Sequence, residues 1–147
     1  MAADSDAQFD PQALFQMARQ QLDNARAPYS RFRVGAALWS DSQIFGGCNV
    51  ENASYGLTIC AERGAVMNWA AAGSPGIPTA IAIVAQDSSG QSVEAMPCGA
   101  CRQVLAELPQ SSDLTVWIWK GQEGESMRLR ELLPRAFGPE DLQGREG

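Results

Sequence analysis

Ala80-Ile81-Ala82-Ile83-Val84-Ala85 is an unbroken apolar run, and its reading decides the fold class. A strand with one solvated face alternates apolar and polar residues, whereas a strand that is apolar at every position is covered on both faces. The run is too short to be a helix of its own, and Gly73-Ser-Pro-Gly-Ile-Pro78 before it reads as a loop. A strand buried on both sides needs a layer above and a layer below.

Working upstream, Leu14, Met17, Ala18, Leu22 and Ala25 recur at helical spacing. Asp10 before Pro11 starts that helix as N-cap and first residue, and Pro28 ends it near residues 24–27. Residues 33–39 read as a strand, 40–42 as a turn and 43–50 as the returning strand of a hairpin, with Gly46-Gly47 as a bulge. Residues 52–58 form a loop, and helix formers run from Ile59 to Ala72, closed by Gly73.

Downstream, residues 86–95 are a polar connection, and Pro97-Cys98 opens a second short helix through Leu108, stopped by Pro109. Thr115 to Trp119 is a strand, 120–126 a turn, Met127–Leu129 a last strand, and Leu132–Phe137 an apolar packing segment. The order is helix, hairpin, then strands alternating with helices. It predicts an α/β chain, a three-layer α/β/α sandwich with a mixed five-stranded sheet. A chain of 147 residues fits one domain, 1–147, with residues 1–9 and about 140–147 as flexible ends.

Composition removes whole classes of chemistry. The chain has no histidine, so it can build no Ser-His-Asp triad, no Cys-His dyad and no imidazole metal site. Proton transfer falls to a carboxylate, Lys, Tyr or Cys. The net charge is −6, and an acidic surface repels phosphate backbones, which argues against a nucleic-acid partner. No run approaches the ~18 apolar residues of a membrane span, and the acidic start MAADSDAQFD lacks the apolar core of a signal peptide. The expectation is a cytoplasmic chain whose four cysteines stay reduced, which points to metal or catalysis before disulfides.

Three of those cysteines open helices: Cys60-Ala61-Glu62, and Pro97-Cys98-Gly99-Ala100-Cys101. The free N–H groups and dipole at a helix N-terminus stabilise thiolate. Three thiolates with one open position make a catalytic rather than a structural zinc centre. Glu62, two residues from Cys60, stands where a proton shuttle for a metal-activated water belongs. The zinc deaminases carry a signature of this form, with three cysteines as one variant. Two other readings stay open on these residues alone. The C-x-x-C pair can be a redox motif, although it comes late for a thioredoxin-like fold. Cys48 can complete a four-cysteine structural site, although its plainer role is a small buried apolar residue.

Five segments together carry a resemblance. They are Ala27-Pro-Tyr-Ser-Arg-Phe-Arg-Val-Gly-Ala-Ala-Leu38, Gly47-Cys-Asn-Val-Glu-Asn-Ala-Ser-Tyr55, Ile59-Cys-Ala-Glu-Arg63, Pro97-Cys-Gly-Ala-Cys-Arg-Gln-Val-Leu105 and Leu132-Leu-Pro-Arg-Ala-Phe137. In this order they resemble the cytidine deaminases of the small homotetrameric, zinc-dependent type, over almost the whole chain. The resemblance implies hydrolysis of cytidine and deoxycytidine to uridine and deoxyuridine with release of ammonia, a step of pyrimidine salvage.

It further implies one Zn²⁺ per chain on Cys60, Cys98 and Cys101, with Glu62 protonating N3 and then the leaving amine. Three thiolates on a divalent ion leave an excess negative charge that blunts its acidity toward water. Arg63 offsets it in the family by hydrogen-bonding ligand sulfurs. Asn49 and Glu51 match residues that bind the ribose 3′-hydroxyl, and their i, i+2 spacing on a strand lets both face one sugar. Phe32 matches the ring beside the base, and Ala61 is carried over as a substrate contact. Phe137 matches an aromatic residue that neighbouring subunits contribute, and Tyr55 one near a shared pocket. Gly64 departs from the family, which usually carries Thr there, and a glycine inside a helix costs up to ~1 kcal/mol.

Three other functions use some of the same features. A polynucleotide deaminase would share the metal site, but the acidic charge and the Asn49/Glu51 pair oppose it. Against a deaminase of a modified nucleoside, the Leu132–Phe137 segment favours the cytidine type. A zinc-stabilised interaction module would have no use for Glu62 at the open position.

Overall fold

Asp10 Oδ1 accepts the Gln12 N–H at 3.0 Å, and Pro11 follows as the first residue of α1 (Pro11–Leu22). The computed structural model describes residues 8–143. After α1 the chain forms the hairpin β1 (Arg33–Ser40) and β2 (Gln43–Cys48). Its two turn residues, Asp41 and Ser42, have φ of +45° and +69°, the left-handed geometry of a two-residue turn that matches strand twist. Next come α2 (Ala61–Ala71), β3 (Pro78–Gln86), β4 (Ser92–Val93), α3 (Gly99–Ala106), β5 (Thr115–Lys120) and β6 (Glu123–Arg128). Two single-turn helices close the chain, α4 (Leu129–Leu132) and α5 (Pro139–Leu142).

The strands form one mixed sheet in the order β2-β1-β3-β5-β6, with two-residue β4 added beside the end of β3. All neighbours are antiparallel except β3 and β5, which run parallel across the α3 crossover. β3 is the strand quoted at the outset, and its alternate residues enter two separate cores. Ala80, Ala82 and Val84 face α1 through Leu14, Phe15, Ala18 and Leu22. Ile81 and Ile83 face α2 and α3 through Ala61, Ala65, Trp69 and Leu105. The result is the expected α/β/α sandwich, and it places the N-termini of α2 and α3 on one side of the sheet.

Several local expectations need correction. Gly46-Gly47 is not a bulge, because both residues pair with β1 in unbroken register. The glycines are there for clearance: a Cβ on Gly47 would lie 2.3 Å from Ala61 O and Ala65 N of α2. The irregularity in β1 falls instead between Trp39 and Ser40, in its pairing with β3. The last strand is Glu123–Arg128 rather than Met127–Leu129. It is an exposed edge strand with no apolar alternation, and Leu129 opens α4. Phe9, placed by the sequence in a flexible end, packs edge-on against Trp39 with ring centroids 5.3 Å apart. Residues 140–142 lie in α5, and residues 1–7 and 144–147 of the expected flexible ends lie outside the described residues.

Candidate active site

Cys60 and Cys98 are the N-cap residues of α2 and α3. Helix α2 starts at Ala61 rather than Ile59 because Ile59 exchanges two backbone hydrogen bonds with Val50, which holds Cys60 in an extended conformation. Cys101 is the third residue of α3 and is buried, Cys60 is half-buried and Cys98 exposed. The three Sγ atoms lie within 4.8 Å of one another, with Cys60 and Cys98 3.6 Å apart. Tetrahedral zinc with Zn–S of ~2.3 Å separates its sulfurs by ~3.8 Å, so this donor set fits the ion with little movement. Cys48 takes no part in the cluster. It sits half-buried at the end of β2, where burial pushes its thiol up.

Two helix dipoles and one guanidinium act on the sulfurs. Arg63 Nη2 lies 3.5 Å from Cys60 Sγ and also donates to Thr58 O at 3.3 Å. The Cys60 thiol is pulled down to about 5, chiefly by a hydrogen bond from Cys101 and further by Arg63. The Cys101 thiol is pushed up by the same bond and by burial. Glu62 is the second residue of α2 and only 4% exposed. Its Oε2 accepts from Cys101 Sγ at 3.7 Å, and burial raises its carboxyl to about 6.

Part of this cluster lines a cavity of about 220 Å³. Its lining includes Cys60, Ala61, Glu62 and Cys98 together with Phe32, Asn49 and Glu51. The segment 49–51 is held between two others, since Arg26 N donates to Asn49 O and Glu51 N to Arg26 O, while Val50 bridges Ile59. Both side chains reach the cavity, and both are also engaged with residues 29–34. Asn49 Oδ1 accepts from Val34 N at 2.9 Å, and its Nδ2 donates to Phe32 O at 2.8 Å. Glu51 accepts from Tyr29 N, Ser30 N and the Ser30 hydroxyl, which together hold its carboxyl below the usual range.

The structure does not bring Tyr55 or Phe137 to this cavity. Tyr55 is 75% exposed and meets the Tyr29 ring edge-on at 6.2 Å. Phe137 is 58% exposed beside a second hollow, its carbonyl accepting from Gln103 Nε2 at 2.8 Å. Conversely, Ser30, Val34, Thr58, Ala95 and Met96 line the cavity without having been singled out in the sequence. Ser30 and Val34 fall within a resembling segment, but Ala95 ends the polar connection and Met96 follows it, and neither belongs to a motif.

Comparison with known proteins agrees with this geometry. The family model for the cytidine and deoxycytidylate deaminase zinc-binding region matches residues 9–115. The cytidine deaminase of Halalkalibacterium halodurans is 44% identical over 135 residues, spanning 90% of this chain and 98% of that protein. The cytidine deaminase of Mycobacterium tuberculosis is 45% identical over 126 residues, 85% of this chain and 87% of that protein. Among solved structures, the cytidine deaminase from Burkholderia pseudomallei superposes with a TM-score of 0.78 at 45% identity, covering 88% of this chain and all of that one.

Proposed function

The chain belongs to the cytidine and deoxycytidylate deaminase family, and on that premise we propose that it hydrolyses cytidine and deoxycytidine to uridine and deoxyuridine, releasing ammonia. One observation carries the reading. A buried carboxylate, Glu62, stands beside a three-thiol cluster, and it lines one cavity together with Asn49 and Glu51. Cys60, Cys98 and Cys101 would hold one Zn²⁺, which when bound supplies the Lewis acid that makes water a nucleophile at neutral pH.

The chain's own residues do the rest. Glu62 takes one proton of the attacking water and passes it to N3 of the pyrimidine, then takes the second from the hydroxyl added at C4 and passes it to the amine as the C4–N bond breaks and the C4 carbonyl forms. Burial keeps bulk water from competing for those protons. Arg63 disperses the negative charge of the thiolates through Cys60 Sγ. Phe32 and Ala61 bound the base, and Asn49 and Glu51 hold the 3′-hydroxyl that both substrates possess. That hold fixes C4 against the reacting water.

The assembly and setting belong to the same proposal. A cavity of about 220 Å³ is smaller than the ~300 Å³ at which small-molecule sites begin, as a pocket completed by a neighbour would be. The exposed Phe137 and Tyr55 suit that completion in a homotetramer with shared sites. No helix among the described residues is long and apolar enough to cross a membrane. Four free thiols suit the reducing cytoplasm and a role in pyrimidine salvage. The deciding experiment follows the absorbance of cytidine, deoxycytidine, cytosine and dCMP with zinc-loaded enzyme. Turnover of the two nucleosides is expected, and turnover of dCMP or cytosine in their place would overturn the reading.

A further inference from the structure

We propose that Ser30 is a positioning residue for nucleoside deamination, the group that sets the sugar-binding carboxylate and the base-facing ring in one register. The inference rests on the nucleoside reading above and deepens it.

The Ser30 hydroxyl stands in the middle of a short chain of hydrogen bonds. It donates to Glu51 Oε2 and accepts the Phe32 N–H at 2.9 Å. The second contact is a serine turn, in which the hydroxyl replaces a backbone acceptor two residues on. Ser30 N and Tyr29 N meanwhile donate to Glu51 Oε1 at 3.1 and 3.0 Å. Both carboxylate oxygens are therefore fixed by one turn; Oε1 is filled by its two amides, and Oε2 keeps a lone pair for a ligand hydroxyl. Asn49 ties the same segment from its other side through Phe32 O and Val34 N.

Ser30, Phe32, Asn49 and Glu51 all line the cavity. The backbone amides would orient Glu51 whatever side chain stood at residue 30. The hydroxyl does something the amides do not: it links the carboxylate to the backbone of Phe32. Losing it leaves Oε2 without that donor and the Phe32 N–H without its acceptor. Sugar and base then lose their common reference, and the alignment of C4 with Glu62 loosens.

The test uses the zinc-loaded full chain and four variants. Ser30→Ala is expected to lower kcat/KM for cytidine about tenfold, mostly through KM, with zinc content and Tm held. Ser30→Thr keeps the hydroxyl and is expected to stay within about threefold of the parent. In a double-mutant cycle, Glu51→Ala should cost at least about fivefold less in the Ser30→Ala background than in the parent, because both changes break the same link. The slow reaction with free cytosine, which has no sugar to place, should lose clearly less than the cytidine reaction on Ser30→Ala.

Additive losses in the cycle, an unchanged Ser30→Ala, or equal losses on cytidine and cytosine would each overturn the positioning role. A zinc-loaded parent that leaves cytidine untouched would overturn the nucleoside reading itself, and this inference with it.

Discussion

Gly47 of β2 and Gly64 of α2 face each other with no side chain between them: a Cβ built on Gly64 would meet the Gly47 Cα at 3.5 Å. The reverse view is tighter, because a Cβ on Gly47 would lie 2.8 Å from the Gly64 carbonyl carbon and 2.3 Å from two atoms of α2. The helix that carries Cys60 and Glu62 can therefore lie close on the strand that leads into Asn49. The two glycines are unequal, since only Gly47 is required by the packing.

Gly64→Ala is accordingly expected to stabilise the protein. Its new methyl finds ordinary contact distances, and removing a glycine from a helix interior is worth ~0.5–1 kcal/mol. The thermal midpoint of zinc-loaded protein should rise by ~1–4 °C with activity unchanged. Gly47→Ala should do the opposite, costing ~1–3 kcal/mol as helix and strand are pushed apart. A thermal scan that ranks the two variants the other way would contradict the clearance argument.

Metal content is the next measurable quantity. Purified protein should carry one zinc per chain by elemental analysis. Cys98→Ala, altering the exposed member of the cluster, should lose metal and lower the thermal midpoint together, as chelation of the parent should. Fully active protein free of metal would end the assignment.

Glu62→Gln preserves shape and burial but cannot move protons. A single acid–base group usually contributes ~10²–10⁴-fold, and one used at several steps can contribute more. The expected result is a collapse of kcat with zinc content and folding intact. Near-normal turnover would remove Glu62 from the mechanism.

Glu51→Gln separates sugar recognition from chemistry. It should lower kcat/KM for cytidine and deoxycytidine while leaving the feeble reaction with free cytosine nearly unchanged. Parallel losses on all three would place Glu51 in folding or in the metal site instead.

Phe137 offers a test of assembly. A ring 58% exposed, on a segment tied to α3 by the Gln103–Phe137 hydrogen bond, is presented outward in a fixed place. Sedimentation at micromolar concentration is expected to show a tetramer and no monomer. An active monomer would mean that each site is complete within one chain.

Much of this architecture was legible in the sequence because its signals are local. The apolar run of β3, the Asp10-Pro11 start of α1 and the helix-opening cysteines each depend on a few adjacent residues. The failures depend on partners distant in the chain. Gly46-Gly47 resembled a bulge because the helix that demands clearance begins more than a dozen residues later. Strand β6, Glu-Gly-Glu-Ser-Met-Arg, has no apolar alternation because it lies at the sheet edge, and only pairing with β5 makes it a strand. Ser30 was passed over for the same reason: its partner Glu51 is 21 residues away, and a serine after Pro-Tyr reads as ordinary turn chemistry.

The layering of the aromatic residues has an optical consequence. Trp39, Trp117 and Trp119 sit on the α1 side of the sheet, with Phe15 stacked on Trp119 at 4.4 Å and the two neighbouring indoles 6.1 Å apart. The fourth, Trp69, lies on the cysteine side but at the far end of α2, about 13 Å along the helix from Cys60 at ~1.5 Å per residue. Intrinsic emission thus looks at the wrong face of the molecule to see substrate. Titration with a nucleoside should leave the indole signal almost flat, while loosening of the N-terminal helix should change it strongly. A binding curve for this protein has to come from heat or from the ligand's own absorbance, and a fluorescence melt of it reports the departure of α1 rather than the loss of the catalytic face.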